Sequence, residues 1–248
     1  MIKNILVSQP APTTEKSPYF EIEKKYNVKI DFCPLIHVER FTEREYRTQH
    51  IDILSHTAVI FTSRHAIDFF FDLCKGLRVA IPEDMKYFFQ SESIALYIQK
   101  FIQYRKRKIF YPKNNSWTEL LDLMYKHKKE KYLFPQNEVH AHDVSEDFQR
   151  KNLNCTISNM FRTVSSVWDK EKSFNYDLVV FFTPSGVKAI RENFPDYEQG
   201  DVRFTCFGEA AANAINDFGF RLDLKAPTPT ATSMSAALDQ YLEAEINK

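Results

Sequence analysis

Short apolar runs of β-forming residues alternate along this chain with longer stretches whose apolar positions recur at helical spacing. That alternation is the pattern of parallel sheets with crossover helices. The first run, residues 4–8, precedes a helix predicted to open at Ser17 and Pro18, because the fixed φ of proline suits the first helical position. A second strand is expected over residues 28–32, ending at Pro34. After a charged stretch, Ala58-Val59-Ile60-Phe61 reads as a buried strand. Thr62-Ser63-Arg64 then leads into a helix carrying Ile67, Phe70, Phe71 and Cys74 on one apolar face. Further strands are expected at residues 87–89, 108–111, 132–134 and 155–161, with helices between them, and Asp143-Val144-Ser145-Glu146 has the form of a capping box.

From Leu178 the pattern starts again. The run LVVFFTPSG (178–186) repeats the strand, threonine, turn and helix order of residues 58–64. A second echo lies downstream: YFFQS (87–91) leading into Ala95 parallels FTCFG (204–208) leading into Ala211, Ala212 and Ala214. Two echoes in the same order point to two related α/β domains. Gly219 is placed to cap the second of these helices, residues 222–224 read as a closing strand, and a last helix is expected to start near Thr232 or Ser233. Residues 34–40 and 159–167 flank the middle block without a helical pattern and are the expected crossings. The domains are therefore expected as 1–35 with 166–248, one discontinuous domain, and 36–165, which includes linker strands at 36–40 and 159–165, around one cleft.

Lys plus Arg (33) equals Asp plus Glu (33), so no global field draws the chain to nucleic acid or to an anionic membrane, and any anion site must be local. No apolar run approaches the roughly 20 residues that span a bilayer, and the opening residues lack the apolar core of a signal peptide. A cytoplasmic monomer is the expectation. Cys33, Cys74, Cys155 and Cys206 are widely spaced, which suits reduced thiols in apolar elements.

Five segments in this order resemble the uroporphyrinogen-III synthase family: ILVSQP (5–10), VIFTSRHA (59–66), VFFTPSG (180–186), CFG (206–208) with its alanine-rich helix, and APTPTATSM (226–234). The resemblance runs nearly from end to end and implies two doubly wound domains joined by a two-stranded linker. It also implies a substrate, hydroxymethylbilane, a linear tetrapyrrole with eight carboxylates. Such an enzyme, a lyase of tetrapyrrole and haem biosynthesis, helps the substrate lose its terminal hydroxyl, inverts the last pyrrole ring through a spiro intermediate and closes the macrocycle without metal or cofactor.

Eight carboxylates need many hydrogen-bond donors, and strand-to-helix turns provide them, because the first amides of a helix have no internal partner. Thr62, Ser63 and Arg64, Ser91, Thr183, Ser185 and Gly186, Gly208, and Thr230 with Ser233 are the candidate substrate-binding residues. The same Ser and Thr residues also suit plain N-caps, each worth about 1 kcal/mol to its helix. Ring closure without inversion needs no enzyme, so positioning should outweigh acid–base chemistry. The chain departs from the family in three places. Phe161 stands before Arg162-Thr163 where a tyrosine is common, Ala211 occupies a frequent threonine position, and Gln9 replaces a common arginine. Phenylalanine cannot protonate a departing hydroxyl, so a non-catalytic relative that binds an anion or a partner is the alternative reading. His140 and His142 beside Asp143 could seed a metal site, but the expected helix cap makes Asp143 structural. The basic tracts 104–108 and 126–131 read as solvated loops that could widen a positive rim, not as nucleic-acid sites.

Overall fold

The structure is a computed structural model and describes residues 2–138, 144–169, 171 and 173–246, so His140, His142 and Asp143 lie outside the described residues. The chain opens with β1 (Asn4–Val7), α1 (Pro18–Tyr26), β2 (Lys29–Phe32) and β3 (Ile36–Arg40). There follow α2 (Glu43–Arg47), β4 (Ala58–Phe61), α3 (Arg64–Leu77), β5 (Lys86–Phe89), α4 (Glu92–Tyr97), β6 (Ile109–Phe110), α5 (Trp117–Lys126), β7 (Tyr132–Asn137), α6 (Ser145–Arg150) and β8 (Cys155–Ser165). The last stretch supplies β9 (Leu178–Phe181), α7 (Pro184–Asn193), β10 (Arg203–Phe207), α8 (Glu209–Asp217), β11 (Leu222–Ala226) and α9 (Met234–Ile246). These elements form two compact units, residues 1–37 with 164–248 and residues 38–163.

In the first unit five parallel strands run in the order β11-β10-β9-β1-β2. Residues of one parity, Leu6, Val179, Phe181, Phe204 and Cys206, pack on Val187 and Ile190 of α7 and Ala212 and Ile215 of α8. The other parity, Ile5, Val7, Leu178 and Val180, meets Ile22 of α1 and Met234, Leu238 and Leu242 of α9. Because both faces are covered, the interior strands β1 and β9 are apolar almost without a break, whereas β2 and β11 at the sheet edges carry polar residues.

The second unit repeats this plan. Its sheet has the order β3-β8-β7-β4-β5-β6, with β4, β5, β6, β7 and β8 paired in parallel. Val59, Phe61, Tyr87 and Phe89 face α3 and α4, while Ala58, Ile60, Phe88, Tyr132 and Phe134 face α5 and α6. Without β3, the order β8-β7-β4-β5-β6 corresponds strand for strand to β2-β1-β9-β10-β11 of the first unit. The helices fall on matching faces as well. The two units are therefore one fold cut at different points of its chain, and β7-α6-β8 plays the part of β1-α1-β2.

Some elements differ from the sequence-based expectation. The charged stretch holds a helix, α2, with a complete capping box: Thr42 accepts from the Glu45 amide and Glu45 accepts from the Thr42 amide. Strand β7 runs on through polar residues to Asn137, paired with β8 as far as Phe161, and β8 continues to Ser165, where β3 is its other neighbour in the sheet. Strand β6 is shorter than expected, since Lys106–Lys108 form a 3₁₀ turn instead. Helix α6 starts after Val144 without a side-chain cap, and the capping box expected at Asp143 lies outside the described residues.

Candidate functional site

In a parallel sheet every strand ends on the same edge, and each following helix begins there, so unpaired helix amides collect along that edge. The edge matters most where connections leave in opposite directions. In the first unit that point lies between β1, which leads to α1 on one face, and β9, which leads to α7 on the other. In the second unit it lies between β7 and β4.

In the first unit, Thr183 caps α7 by accepting from the Gly186 amide at 3.1 Å. Ser8, directly after β1, donates its amide to Val180 O at 3.0 Å and so sits beside the same turn. A methyl group at Gly186 would lie 3.4 Å from Thr183 Oγ1 and 3.9 Å from Ser8 Oγ, which places two hydroxyls and a bare helix turn together at the switch point. Ser185 is part of the first turn of α7. One strand over, Gly208 precedes α8 with φ +91° and ψ 157°, a conformation that L side chains rarely adopt, and no atom lies within 4 Å of where its Cβ would be. The space beside Gly208 is therefore open, and the next residue, Glu209, pairs with Lys225 at 2.8 Å. Ser233 caps α9, accepting from the Ala236 amide at 3.1 Å.

Thr230 is a correction. It does not lie at a helix start, because α9 begins at Met234, and its hydroxyl is engaged by Gln240 Oε1 at 3.3 Å and by Thr228. Thr228 holds the turn instead, accepting from the Ala231 amide at 3.0 Å.

The second unit has the same kind of edge. Ser63 caps α3 through the Ala66 amide at 3.1 Å, and Ser91 caps the short α4 through the Ile94 amide at 3.4 Å. The Ser63 hydroxyl accepts from the backbone, so its own proton stays available for a carboxylate, whereas the Ser91 hydroxyl also shares a hydrogen bond with the Ser93 hydroxyl at 3.1 Å. Thr62, one residue before the cap and half-buried, makes no hydrogen bond through its hydroxyl to another described residue. Arg64, at the start of α3, lays its guanidinium over the Tyr97 ring, 5.4 Å from the centroid. Beside this edge, Gln136 of β7 donates to Asn159 Oδ1 at 3.0 Å, and Asn159 exchanges backbone hydrogen bonds with the Gln49 side chain at 2.6 and 2.9 Å. Gln136 Oε1 is buried without a partner. Neither Ser8 nor this amide network was expected from the sequence. The only signals for them were their places at the ends of β1 and β7.

Phe161 faces the core of the second unit. It is 8 % exposed, and its ring lies 5.5 Å from that of Phe69. Ala211 is also core, at 1 % exposure, whereas Gln9 is exposed. Arg162, next to Phe161, reaches Glu39 and Glu45 at 2.8 Å each. The Thr42 amide, then the Thr42 hydroxyl and Arg162, hold the Glu45 carboxyl down to about 2. Burial pushes the Cys74 thiol up to about 12 and the Cys206 thiol up to about 11, so these cysteines are inert apolar side chains. Among the described residues no group of three or more His, Cys, Asp or Glu is arranged to hold a metal.

The basic tracts prove to lie away from this chemistry. Residues 104–108 precede β6 and residues 126–131 precede β7, so both sit on the opposite edge of the second sheet, where strands begin. Lys86 pairs there with Glu130, and a cavity of about 330 Å³ lined by Ile81, Tyr87, Arg105 and Lys108 opens on the same side. Neither tract can widen a rim at the helix starts of its own unit. No described helix is long and apolar enough to cross a membrane.

A uroporphyrinogen-III synthetase from Helicobacter pylori 26695 shares the fold with a TM-score of 0.60 at 13 % identity, the match covering 98 % of this chain and all of that one. A mutant uroporphyrinogen III synthase from the extremely thermophilic bacterium Thermus thermophilus is 11 % identical over 99 % of this chain and all of that one, with a TM-score of 0.48. No curated protein matches the sequence. The family model described as uroporphyrinogen-III synthase HemD matches residues 21–236, and by that match the chain belongs to the uroporphyrinogen-III synthase family.

Proposed function

We propose that this chain is an active uroporphyrinogen-III synthase, a lyase that cyclises hydroxymethylbilane with inversion of the last pyrrole ring. The family match over residues 21–236 carries the reading. The geometry supports it because the edges that collect helix amides also carry hydroxyls whose protons are available: Thr62 and Ser63 in the second unit, and Ser8, Thr183 and Ser185 in the first. Each can donate to an acetate or propionate oxygen, and a hydrogen bond to a charged group contributes about 1.5–3 kcal/mol.

The chemistry asks little more of the protein. The hydroxyl takes a proton from solvent and leaves as water with the push of the adjacent pyrrole nitrogen, ring closure returns a proton to solvent, and the carbon that closes the ring is decided by where the chain is held. Phe161 takes no part in proton transfer, since its ring has no exchangeable proton and packs into the core. The enzyme is expected to work as a cytoplasmic monomer without cofactor.

The test supplies freshly generated hydroxymethylbilane, oxidises the products and separates type I from type III uroporphyrin. A rise in type III over the protein-free reaction is the expected result. Type I alone at ample protein would overturn the reading in favour of a non-catalytic relative.

A further inference from the structure

Strands β9 and β10 run side by side with Val180 opposite Thr205 and Phe181 opposite Cys206. Phe181 and Cys206 point into the core under α7 and α8. The next residues, Phe182 and Phe207, have the opposite parity, and Phe182 is only partly buried, against the core under α1 and α9. Their rings stack with centroids 6.4 Å apart and planes inclined by 30°. Phe207 is 36 % exposed, although every other residue of β10 is at least partly buried. The strand ends at this point, and the ladder is closed by the Gly208 amide donating to Ala226 O at 2.7 Å.

The surroundings say what such a pair would take. Phe182 is followed at once by Thr183 and the start of α7, and Phe207 by Gly208, whose Cβ position is free, and the start of α8, where Glu209 is neutralised by Lys225. A flat apolar face next to two sets of anion-seeking amides complements a flat, electron-rich ring that carries carboxylates on short arms. A pyrrole ring with its acetate and propionate has that form. We propose that Phe182 and Phe207 form the face on which one pyrrole ring of the linear tetrapyrrole stacks, with the ring's carboxylates directed to the Thr183 and Gly208 turns. The assignment rests on the synthase reading and adds to it two substrate-contacting residues that bear no polar group.

The test measures type III formation from freshly generated hydroxymethylbilane by wild type, Phe207→Ala, Phe182→Ala, Phe207→Leu and Phe207→Trp. Both alanine variants should raise KM roughly five- to tenfold, in keeping with the loss of one aromatic stack. Phe207→Trp should stay within twofold of wild type, and Phe207→Leu should behave like Phe207→Ala. Circular dichroism checks that each variant is folded; Phe207→Leu retains apolar bulk and so keeps the question open to measurement should the alanine variant unfold. A KM within twofold of wild type for Phe207→Ala, or for Phe207→Leu, overturns the proposal. A wild-type chain that yields only type I product overturns the synthase reading itself, and the two failures are told apart by that one control.

Discussion

Replacing Thr62 and Thr183 by valine, one at a time, separates substrate binding from helix capping, because valine keeps the shape of threonine and removes only the hydroxyl. The Thr183 hydroxyl accepts from the Gly186 amide, so its loss leaves a helix-start amide without its cap and should cost about 1 kcal/mol of stability. The Thr62 hydroxyl bonds to no other described residue, so Thr62→Val should change stability by less than about 0.5 kcal/mol. If each hydroxyl donates to a substrate carboxylate, both variants lose about 1.5–3 kcal/mol of binding, roughly 10- to 150-fold in kcat/KM. Urea unfolding followed by circular dichroism gives the first quantity, and initial rates of type III formation give the second. The informative contrast is Thr62→Val, expected to be as stable as wild type and at least tenfold poorer as a catalyst. Wild-type kcat/KM in Thr62→Val would refute the idea that this hydroxyl meets the substrate. A Thr183→Val enzyme that is less stable but equally efficient would reduce Thr183 to a cap.

Three further predictions concern the framework. Glu45 has its folded-state pKa lowered from 4.5 to about 2, so its hydrogen bonds and its pair with Arg162 stabilise the fold above pH 4.5 and are lost as pH falls toward 2. The gap in urea midpoint between wild type and Glu45→Gln should accordingly be widest near neutral pH and shrink across that window, and a gap independent of pH would contradict the assignment. Gly208→Ala should lose about 1–3 kcal/mol in urea unfolding, because φ +91° with ψ 157° strains any L side chain even where space is free; a loss below about 0.5 kcal/mol would show that the turn relaxes. Phe70→Ala removes a fully buried ring that lies 5.4 Å from Phe61 and 5.2 Å from Phe71, and a cost of about 3–5 kcal/mol is expected by the same measurement.

The sequence made strand-to-helix turns legible because their chemistry is local: an apolar run, a hydroxyl, then helical spacing. Ser17, Ser63, Ser91 and Thr183 all precede helices as that logic requires. Helix α2 escaped because its apolar signal is a single buried tyrosine, Tyr46, although Thr42 and Glu45 carry the capping-box spacing. Thr230 misled for the opposite reason. A threonine four residues before a helix resembles a cap, and only tertiary contact with Gln240 shows that its hydroxyl is spoken for. The relation between the units was half visible. The echoes matched β4 to β9 and β5 to β10, but the match of β7 to β1 needs the strand order, since YLFPQN and NILV share little beyond their hydrophobicity. Ser8, Gln136, Phe182 and Phe207 gain their interest from position at strand ends, which periodicity alone does not rank.

The cut that distinguishes the two copies of the fold also orders their birth. Strand β1 is an interior strand of its sheet, held between β2 on one side and β9 on the other, and β9 arrives only after the whole of residues 38–163 has been made. At about 5–20 residues per second, Ile5, Leu6 and Val7 wait on the order of ten to thirty seconds for the partner that will bury them. The uninterrupted copy can collapse on its own meanwhile. The divided copy leaves the ribosome as a short sticky β-α-β unit that must be kept from other chains until its second half emerges, so slow or crowded synthesis should harm this half of the protein first.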